Sequence, residues 1–287
     1  MEYREIIESY IDGHKEEMLN DIKALCRINS EKMPYREGMP YGEGVCAALG
    51  MALTMAEGYG FSVRNYDNYV GTADLNDKEP GLDILAHLDV VPAGEGWQVT
   101  APFEPLEKDG KLYGRGTADD KGPAVAALYA MRAVKECGIP VSKNVRLILG
   151  TGEECGSSDI PHYYAEEKEA PMTFSPDASF PVINTEKGSL RGHFTAEWEK
   201  SEVLPRLCAI HAGLKINVLP GKAEAVFQGV SPEVLEAAMK EAEGAIGVHF
   251  EAEYSDYTVE KGDEMAKVTA IGEGAHAAHP GDGGNAL

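Results

Sequence analysis

The sequence predicts an α/β protein in which a larger domain with a mixed sheet precedes a smaller α+β domain. Up to about Glu186, short apolar β-rich runs alternate with helical patterns, as in α/β domains. Beyond Glu186 the pattern changes to short strands around one helix. The length of 287 residues, 43% of them hydrophobic, suits two moderate domains better than one. We place them at residues 1–186 and 187–287.

The elements of the larger domain follow from periodicity and from end signals. Apolar residues at helical spacing predict one or two helices over residues 3–29 and another over residues 45–57. A third helix is predicted over residues 123–137, because proline stands in its first turn and Gly138 follows its end. Strands are predicted over residues 61–66, 69–75, 83–86 and 145–149.

The smaller domain shows the same signals in a different order. Strands are predicted over residues 190–197, 208–216, 223–227, 248–254 and 266–271. One helix is predicted over residues 232–243, starting at a proline.

The charge balance excludes two classes of partner. With 26 Lys+Arg against 48 Asp+Glu the net charge is −22, whereas nucleic acids and anionic membranes are bound by clustered cations. No apolar run approaches the ~20 residues that span a bilayer, and the first residues lack the pattern of a signal peptide. We therefore expect a cytoplasmic protein whose five cysteines, none in a CxxC pair, are reduced thiols.

Two polar side chains follow the predicted strand over residues 83–86. Residues two apart on an extended segment point to the same face, so His87 and Asp89 project together from the carboxyl end of a strand, where open α/β sheets place ligands. A neutral histidine is a good metal ligand, and a carboxylate is the usual partner that fixes its tautomer. The pair equally fits a structural histidine in a hydrogen bond.

Further acidic residues stand in glycine-rich turns. The segment GRGTADDKGP places Asp119 and Asp120 directly before a helix, where an acid serves either as a helix cap or as a metal ligand. The segment GTGEECG places Glu153 and Glu154 after a predicted strand. Adjacent side chains there point in opposite directions, so one glutamate can bind a metal while the other acts as a general base. The segment FSPDA adds Asp177.

These motifs together supply the ligands of a hydrolytic metal centre. The candidate ligands, all hard oxygen or nitrogen donors, are His87, Asp119, Glu154 and Asp177. Such a set suits zinc or manganese, and two metals about 3.5–4 Å apart would share one carboxylate.

Four segments, HLDVVPAGEGW, LYGRGTADDKGP, GTGEECGSSD and FSPDASFPV, resemble in order the signatures of the M20 family of co-catalytic zinc peptidases, most closely its PepV-type dipeptidases. The resemblance runs from about Asp83 to the end of the chain. It implies a zinc-peptidase-like catalytic domain interrupted by a lid domain. It also implies a dipeptidase that hydrolyses short unblocked peptides by attack of a metal-bridged hydroxide.

The resemblance implies a role for each candidate in the catalytic domain. His87 and Asp177 would hold one metal, and Glu154 would hold the other. Asp119 would bridge them, because the family's bridging acid stands immediately before x-Lys-Gly. Asp89 would orient His87, and Glu153 would be the general base.

Two lid residues are implied to face the substrate. GAHAAHP resembles the lid motif whose histidine stabilises the oxyanion of the tetrahedral intermediate, and alignment to GAH indicates His276 rather than His279. Asn217, in INVLP, resembles a lid position near the substrate but equally fits a turn residue.

Several points stay open in the sequence. Zinc, two ions per site in the intact family, is the default cofactor, and manganese or cobalt also suits a carboxylate-rich site. The alternatives to a dipeptidase are an N-acyl amino acid amidohydrolase or deacetylase, and a non-catalytic metal- or peptide-binding relative. The family's chain normally returns from the lid and supplies a last histidine ligand, so we expect both domains to be incomplete at Leu287. The sequence does not indicate an oligomeric state.

Overall fold

A computed structural model of the chain describes residues 3–94, 96–185, 188, 190–197, 199, 201–255, 265–277, 281 and 283–287. The chain divides into two compact units, Met1–Gly188 and Ser189–Leu287. The assignment of these units as catalytic and lid domains stays a prediction.

The described residues of the first unit form five α-helices: α1 (Tyr3–Gly13), α2 (Lys15–Cys26), α3 (Glu43–Gly58), α4 (Lys121–Glu136) and α5 (Asp159–Tyr164). The first four correspond to the predicted helices, including the interruption near Gly13. Gly138 has φ +65° just beyond α4, a left-handed position that glycine adopts without a steric penalty. The sequence did not predict α5, which has six residues with Pro161 among them.

The same part of the unit that the structure describes also contains seven strands: β1 (Ser62–Tyr66), β2 (Val70–Asp74), β3 (Pro80–His87), β4 (Leu106–Lys108), β5 (Lys111–Tyr113), β6 (Asn144–Gly150) and β7 (Thr173–Phe174). Five form one sheet in the order β1-β2-β6-β3-β7, and β4 pairs with β5. β3 is parallel to both β6 and β7, whereas β1, β2 and β6 pair antiparallel. The predicted mixed sheet is therefore confirmed.

The sheet is buried on both faces. Leu147 and Leu149 of β6 belong to the core cluster that includes Leu49 of α3 and Leu128 of α4. Ile148, between them, packs instead with Tyr163 of α5. This alternation follows from the two-residue period of a strand, and each fully buried leucine contributes about 1.5–3 kcal/mol.

The parallel pairing of β3 brings three of the segments with candidate site residues to one edge of the sheet. His87 at the end of β3 pairs with Gly150 at the end of β6. Ile84 pairs with Phe174, the last residue of β7. Residues that follow β3, β6 and β7 therefore emerge at the same carboxyl edge.

A buried ion pair fixes the segment that leads into β7. Arg146 Nε lies 3.1 Å from Asp83 Oδ1, and the side chains are 6% and 0% exposed. Asp83 also accepts the backbone N–H of Ala170 at 2.9 Å, and Arg146 donates to the backbone oxygen of Lys168 at 3.0 Å. Both charged side chains therefore have polar partners at the place where β3 pairs with β7.

The second unit contains one helix and six strands within its described residues: β8 (Arg206–Ala212), β9 (Val218–Leu219), β10 (Lys222–Gln228), α6 (Pro232–Ile246), β11 (His249–Ser255), β12 (Met265–Ile271) and β13 (Ala275–His276). Four strands form an antiparallel sheet in the order β11-β12-β10-β8. Leu235 of α6 packs on it against Ala266 and Val268.

One predicted strand in this unit is wrong. The described residues between 190 and 197 form no strand, and Leu190 and Phe194 are 98% and 93% exposed. A strand needs a neighbour that satisfies its N–H and C=O groups, and no described strand pairs with this segment.

Among the described helices, none has the length and apolar character required to cross a membrane.

Candidate metal centre

His87 is held in one orientation at the end of β3. His87 is 3% exposed, and its Nδ1 lies 3.0 Å from the backbone oxygen of Asp89. A carbonyl oxygen only accepts, so Nδ1 donates to it and Nε2 is the ring nitrogen left to face other groups. A metal ion that replaces the proton on Nε2 would bind the imidazole there.

Nε2 of His87 faces two carboxylates. It lies 3.0 Å from Asp119 Oδ1 and 3.4 Å from Asp177 Oδ2, and ligand atoms of the three residues all lie within 4.8 Å of one another. Within the described part of the chain this buried nitrogen makes no well-aligned hydrogen bond. Donors about 2.0–2.2 Å from a tetrahedral zinc ion lie about 3.4 Å apart, so these residues fit a metal ion.

Asp89 connects this group to the turn after β6. Its Oδ1 accepts the backbone N–H of Glu153 at 3.1 Å, and its Oδ2 accepts that of Glu154 at 3.0 Å. Oδ1 also lies 3.4 Å from His87 Nδ1. The buried Asp89 carboxylate therefore fixes the backbone of both glutamates as well as the imidazole.

Glu153 and Glu154 begin a short 3₁₀ turn, Glu153–Cys155. Neither belongs to the three-residue group of His87, Asp119 and Asp177. Burial raises the pKa of the Glu153 carboxyl, and nearby carboxylates raise it further. Burial and Asp119 likewise raise the pKa of Glu154. Both carboxyls thus sit in the negative field of the centre.

The pKa values of His87 and its neighbours are shifted by the negative charge of these carboxylates. Burial lowers the pKa of His87, but the carboxylates of Asp119 and Asp89 outweigh burial and raise it to about 11. The pKa of Asp119 is lowered by its contact with His87, whereas burial and Asp119 raise that of Asp177. A field that favours a cation at the imidazole equally favours a bound metal ion.

Asp120 plays a part that the sequence did not reveal. It stands at the cap position of α4 but caps no helix N–H with its side chain. Its Oδ2 accepts the backbone N–H of His87 at 3.0 Å, and burial raises the pKa of this carboxyl to about 7. The contact spans 33 residues, and no local sequence signal indicates it.

Lys121 holds the Asp119–Asp120 segment against the helical layer. The residue is fully buried, and its Nζ donates to the backbone oxygens of Leu25 at 3.0 Å and Ile28 at 2.8 Å. The backbone at Gly122 lies against the backbone oxygen of Thr117, and a Cβ there would come within 2.1 Å of that oxygen. Only glycine fits at this position. These contacts join the acidic turn to α2.

A cavity of about 250 Å³ opens beside the three-residue group. His87, Glu153 and Asp177 line its polar side, and Leu85 and Ile160 line its apolar side. The carboxyl of Glu153 is thus placed at the same cavity as two of the candidate ligands. A small substrate bound there would meet both.

The second unit brings Asn217 and His276 together in its backbone. His276 pairs with Val218 between β13 and β9, and the backbone oxygen of Asn217 accepts the N–H of Ala277 at 2.8 Å. His279 lies outside the described residues. The roles of Asn217 and His276 toward a substrate stay predictions.

The comparisons with known proteins now identify the family. Residues 84–282 match the model of peptidase family M20/M25/M40, which is more than half of the chain. The chain belongs to this family, as its four motifs predict. Metal dependence is a property of the family, and the His87, Asp119 and Asp177 group provides candidate ligands for it.

Two curated relatives carry dipeptidase names. The chain is 35% identical to "Putative dipeptidase YtjP" of Bacillus subtilis over 276 residues, 95% of this chain and 58% of that protein. It is 34% identical to the Beta-Ala-Xaa dipeptidase of Lactobacillus delbrueckii subsp. lactis over 96% of this chain and 57% of that protein. The chain therefore spans somewhat more than half the length of these relatives.

Solved structures show the same fold. Human carnosine dipeptidase 1 matches 93% of this chain and 72% of its own with a TM-score of 0.54 at 17% identity. The M20 family metallo-carboxypeptidase Sso-CP2 of Sulfolobus solfataricus matches 89% and 71% with a TM-score of 0.50 at 17% identity. The predicted fold class is confirmed.

Proposed function

We propose that this chain carries the centre of a metal-dependent dipeptidase that hydrolyses short unblocked peptides. The observation that carries the proposal is the buried Nε2 of His87, which faces Asp119 at 3.0 Å and Asp177 at 3.4 Å. The names of the two curated relatives support the substrate class.

The proposed ligand set follows the donors at the carboxyl edge of the sheet. His87 and Asp177 would hold one ion, Asp119 would be shared and Glu154 would serve the second. Two zinc ions are proposed, and manganese or cobalt would also suit these oxygen donors. When bound, the ions would polarise the scissile carbonyl and lower the pKa of water.

The chain's own residues would handle the proton. Glu153, at the cavity beside His87, would take a proton from the attacking water and pass it to the leaving amine. Burial raises the pKa of its carboxyl, which makes it a stronger base than an exposed glutamate. Asp89 would hold Glu153 and His87 in place together, because its Oδ1 accepts the backbone N–H of Glu153 and lies 3.4 Å from His87 Nδ1.

The charge of the site supports a free amino terminus on the substrate. Asp177 and Glu153 both line the cavity, and a cation near carboxylates is favoured. In the second unit, His276 would stabilise the oxyanion and Asn217 would contact the peptide.

The five cysteines are all unpaired thiols, and burial raises the pKa of Cys155, which disfavours a nucleophilic thiolate. Reduced cysteines are the norm in the cytoplasm, and we propose that the protein is cytoplasmic.

The test measures hydrolysis by the zinc-loaded chain of unblocked dipeptides, including a β-alanyl dipeptide, and of their N-acetylated counterparts. Glu153→Gln is expected to reduce turnover about 10²–10⁴-fold, and Glu37→Gln, at an exposed glutamate, serves as the matched control. Faster cleavage of the acetylated substrates would indicate an amidohydrolase. Binding without turnover, unchanged by Glu153→Gln, would indicate the non-catalytic alternative.

A further inference from the structure

A second group of metal-binding side chains lies in the first unit, formed by residues other than the His87 group. Ligand atoms of Asp67, His162 and Glu166 all lie within 4.8 Å of one another. Asp67 stands in the turn between β1 and β2, whereas His162 lies in α5 and Glu166 just beyond its end. His162 and Glu166 are four residues apart, which places them on the same side of a helical turn.

The imidazole of His162 is oriented toward this group. Its ring stacks on Tyr69 with centroids 4.2 Å apart and planes at 25°. Its Nε2 lies 3.5 Å from Asp67 Oδ2. This nitrogen is buried and has no hydrogen-bond partner among the described residues, which is an unfavourable state for a polar atom.

The spacing matches that of the His87 group. There, Nε2 lies 3.0 and 3.4 Å from two carboxylate oxygens, and here it lies 3.5 Å from one. Ligands about 2.0–2.2 Å from a tetrahedral zinc ion lie about 3.4 Å apart. The distance from His162 to Asp67 is thus close to the separation of two ligands of one ion, and the Glu166 carboxylate lies within 4.8 Å of both.

The guanidinium of Arg64 lies beside the group and pairs more closely with a carboxylate outside it. Arg64 Nη2 lies 3.6 Å from Glu166, but the same guanidinium makes its closer contact with Glu167 at 2.8 Å. Asp67 and Glu166 are 77% and 51% exposed, so water is available to complete a coordination shell.

We propose that Asp67, His162 and Glu166 bind one divalent transition-metal ion, for which zinc is the probe. One imidazole with two carboxylates selects such an ion over magnesium or calcium, which prefer oxygen ligands alone. The site is distinct from the centre at His87 and uses none of its residues.

Binding there would stabilise the turn that leads to the catalytic edge. Thr151 Oγ1 donates to the backbone oxygens of Asn68 at 3.1 Å and Tyr69 at 2.6 Å. Thr151 directly precedes the Gly152–Glu154 segment. An ion that joins Asp67 to α5 would therefore restrain the backbone beside Glu153.

The experiment counts zinc in variants whose first centre is impaired. His87→Ala is combined with His162→Ala or, as the matched control, with His193→Ala, which removes an exposed histidine outside both groups. After dialysis against zinc, elemental analysis is expected to show one ion fewer per chain in His87→Ala/His162→Ala than in His87→Ala/His193→Ala. Circular dichroism verifies that both variants are folded.

A second measurement separates metal binding from a structural effect. Asp67→Asn keeps the shape of the turn and removes one proposed ligand. We therefore expect it to weaken zinc binding by at least the roughly 10–100-fold that loss of an outer partner costs, with an unchanged thermal midpoint in the absence of metal. Equal zinc content in the two double variants would overturn the proposal. Equal affinity of wild type and Asp67→Asn would show instead that His162 and Asp67 form a plain ion pair.

Discussion

Oδ1 of Asp89 accepts the backbone N–H of Glu153 at 3.1 Å, although the two residues lie 64 positions apart. The same oxygen lies 3.4 Å from Nδ1 of His87. One buried carboxylate thus joins the candidate metal ligand at the end of β3 to the candidate base after β6. This link explains why the side chains can act together without belonging to one segment.

Asp89→Asn is expected to damage activity more than stability. The amide offers one acceptor where the carboxylate serves two N–H groups, so either Glu153 or Glu154 would face an amide hydrogen. Loss of such an outer partner typically costs 10–100-fold in metal affinity or activity. Turnover and zinc affinity are measured beside Asp12→Asn, an exposed control, and equal values in the two variants would refute the link.

Asp120 is expected to act as a structural acceptor for the backbone of His87. Asp120→Ala leaves the buried N–H of His87 without its partner, which costs about 1–3 kcal/mol. Asp120→Asn keeps an acceptor oxygen and is expected to lose less. Urea unfolding of the two variants decides this, and equal losses would contradict the role of the hydrogen bond.

The elements around the centre were predictable from local patterns, because β3 and β6 are apolar runs that end at polar motifs. In the structure these two strands pair in parallel, with His87 opposite Gly150. The contact from Asp120 to His87 was not predictable, since it joins residues that only the fold brings together. At residues 190–197 the local pattern predicted a strand that the structure does not contain. The apolar residues suggest a strand, but no described strand pairs with this segment.

The group of Asp67, His162 and Glu166 was not predicted from the sequence, because it depends on a short helix and a tight turn. α5 has six residues, too few for a helical period to be recognised, and it carries His162. Asp67 and Asn68 have φ of 50° and 61°, a turn conformation that Asp and Asn tolerate. Each residue is ordinary alone, and only tertiary packing brings His162 to Asp67.

The buried pair of Arg146 and Asp83 is expected to be sensitive to the loss of one partner. Asp83→Ala leaves the buried guanidinium with the more distant Glu167 carboxylate at 3.8 Å, and removal of one partner of a buried pair typically costs about 3–5 kcal/mol. The exposed pair Arg4 and Glu8 is the control, because its side chains are 82% and 58% exposed and such pairs contribute about 0–1 kcal/mol. Urea unfolding of Asp83→Ala and Glu8→Ala compares the two, and similar losses would show that burial of the first pair adds nothing.

Alkaline pH is expected to destabilise the first unit through Tyr59. Burial, together with the hydrogen bond to Asp21, raises the pKa of this phenol from 10.0 to about 12. The folded state thus keeps a proton that the unfolded state releases, so the free energy of unfolding falls as pH rises from about 10 to about 12. Tyr59→Phe removes this proton and should flatten the slope, whereas Tyr35→Phe, at a residue that is 69% exposed, should not. Urea midpoints measured from neutral pH to pH ~11 give the slopes, and indistinguishable slopes in the two variants would exclude Tyr59 as the cause.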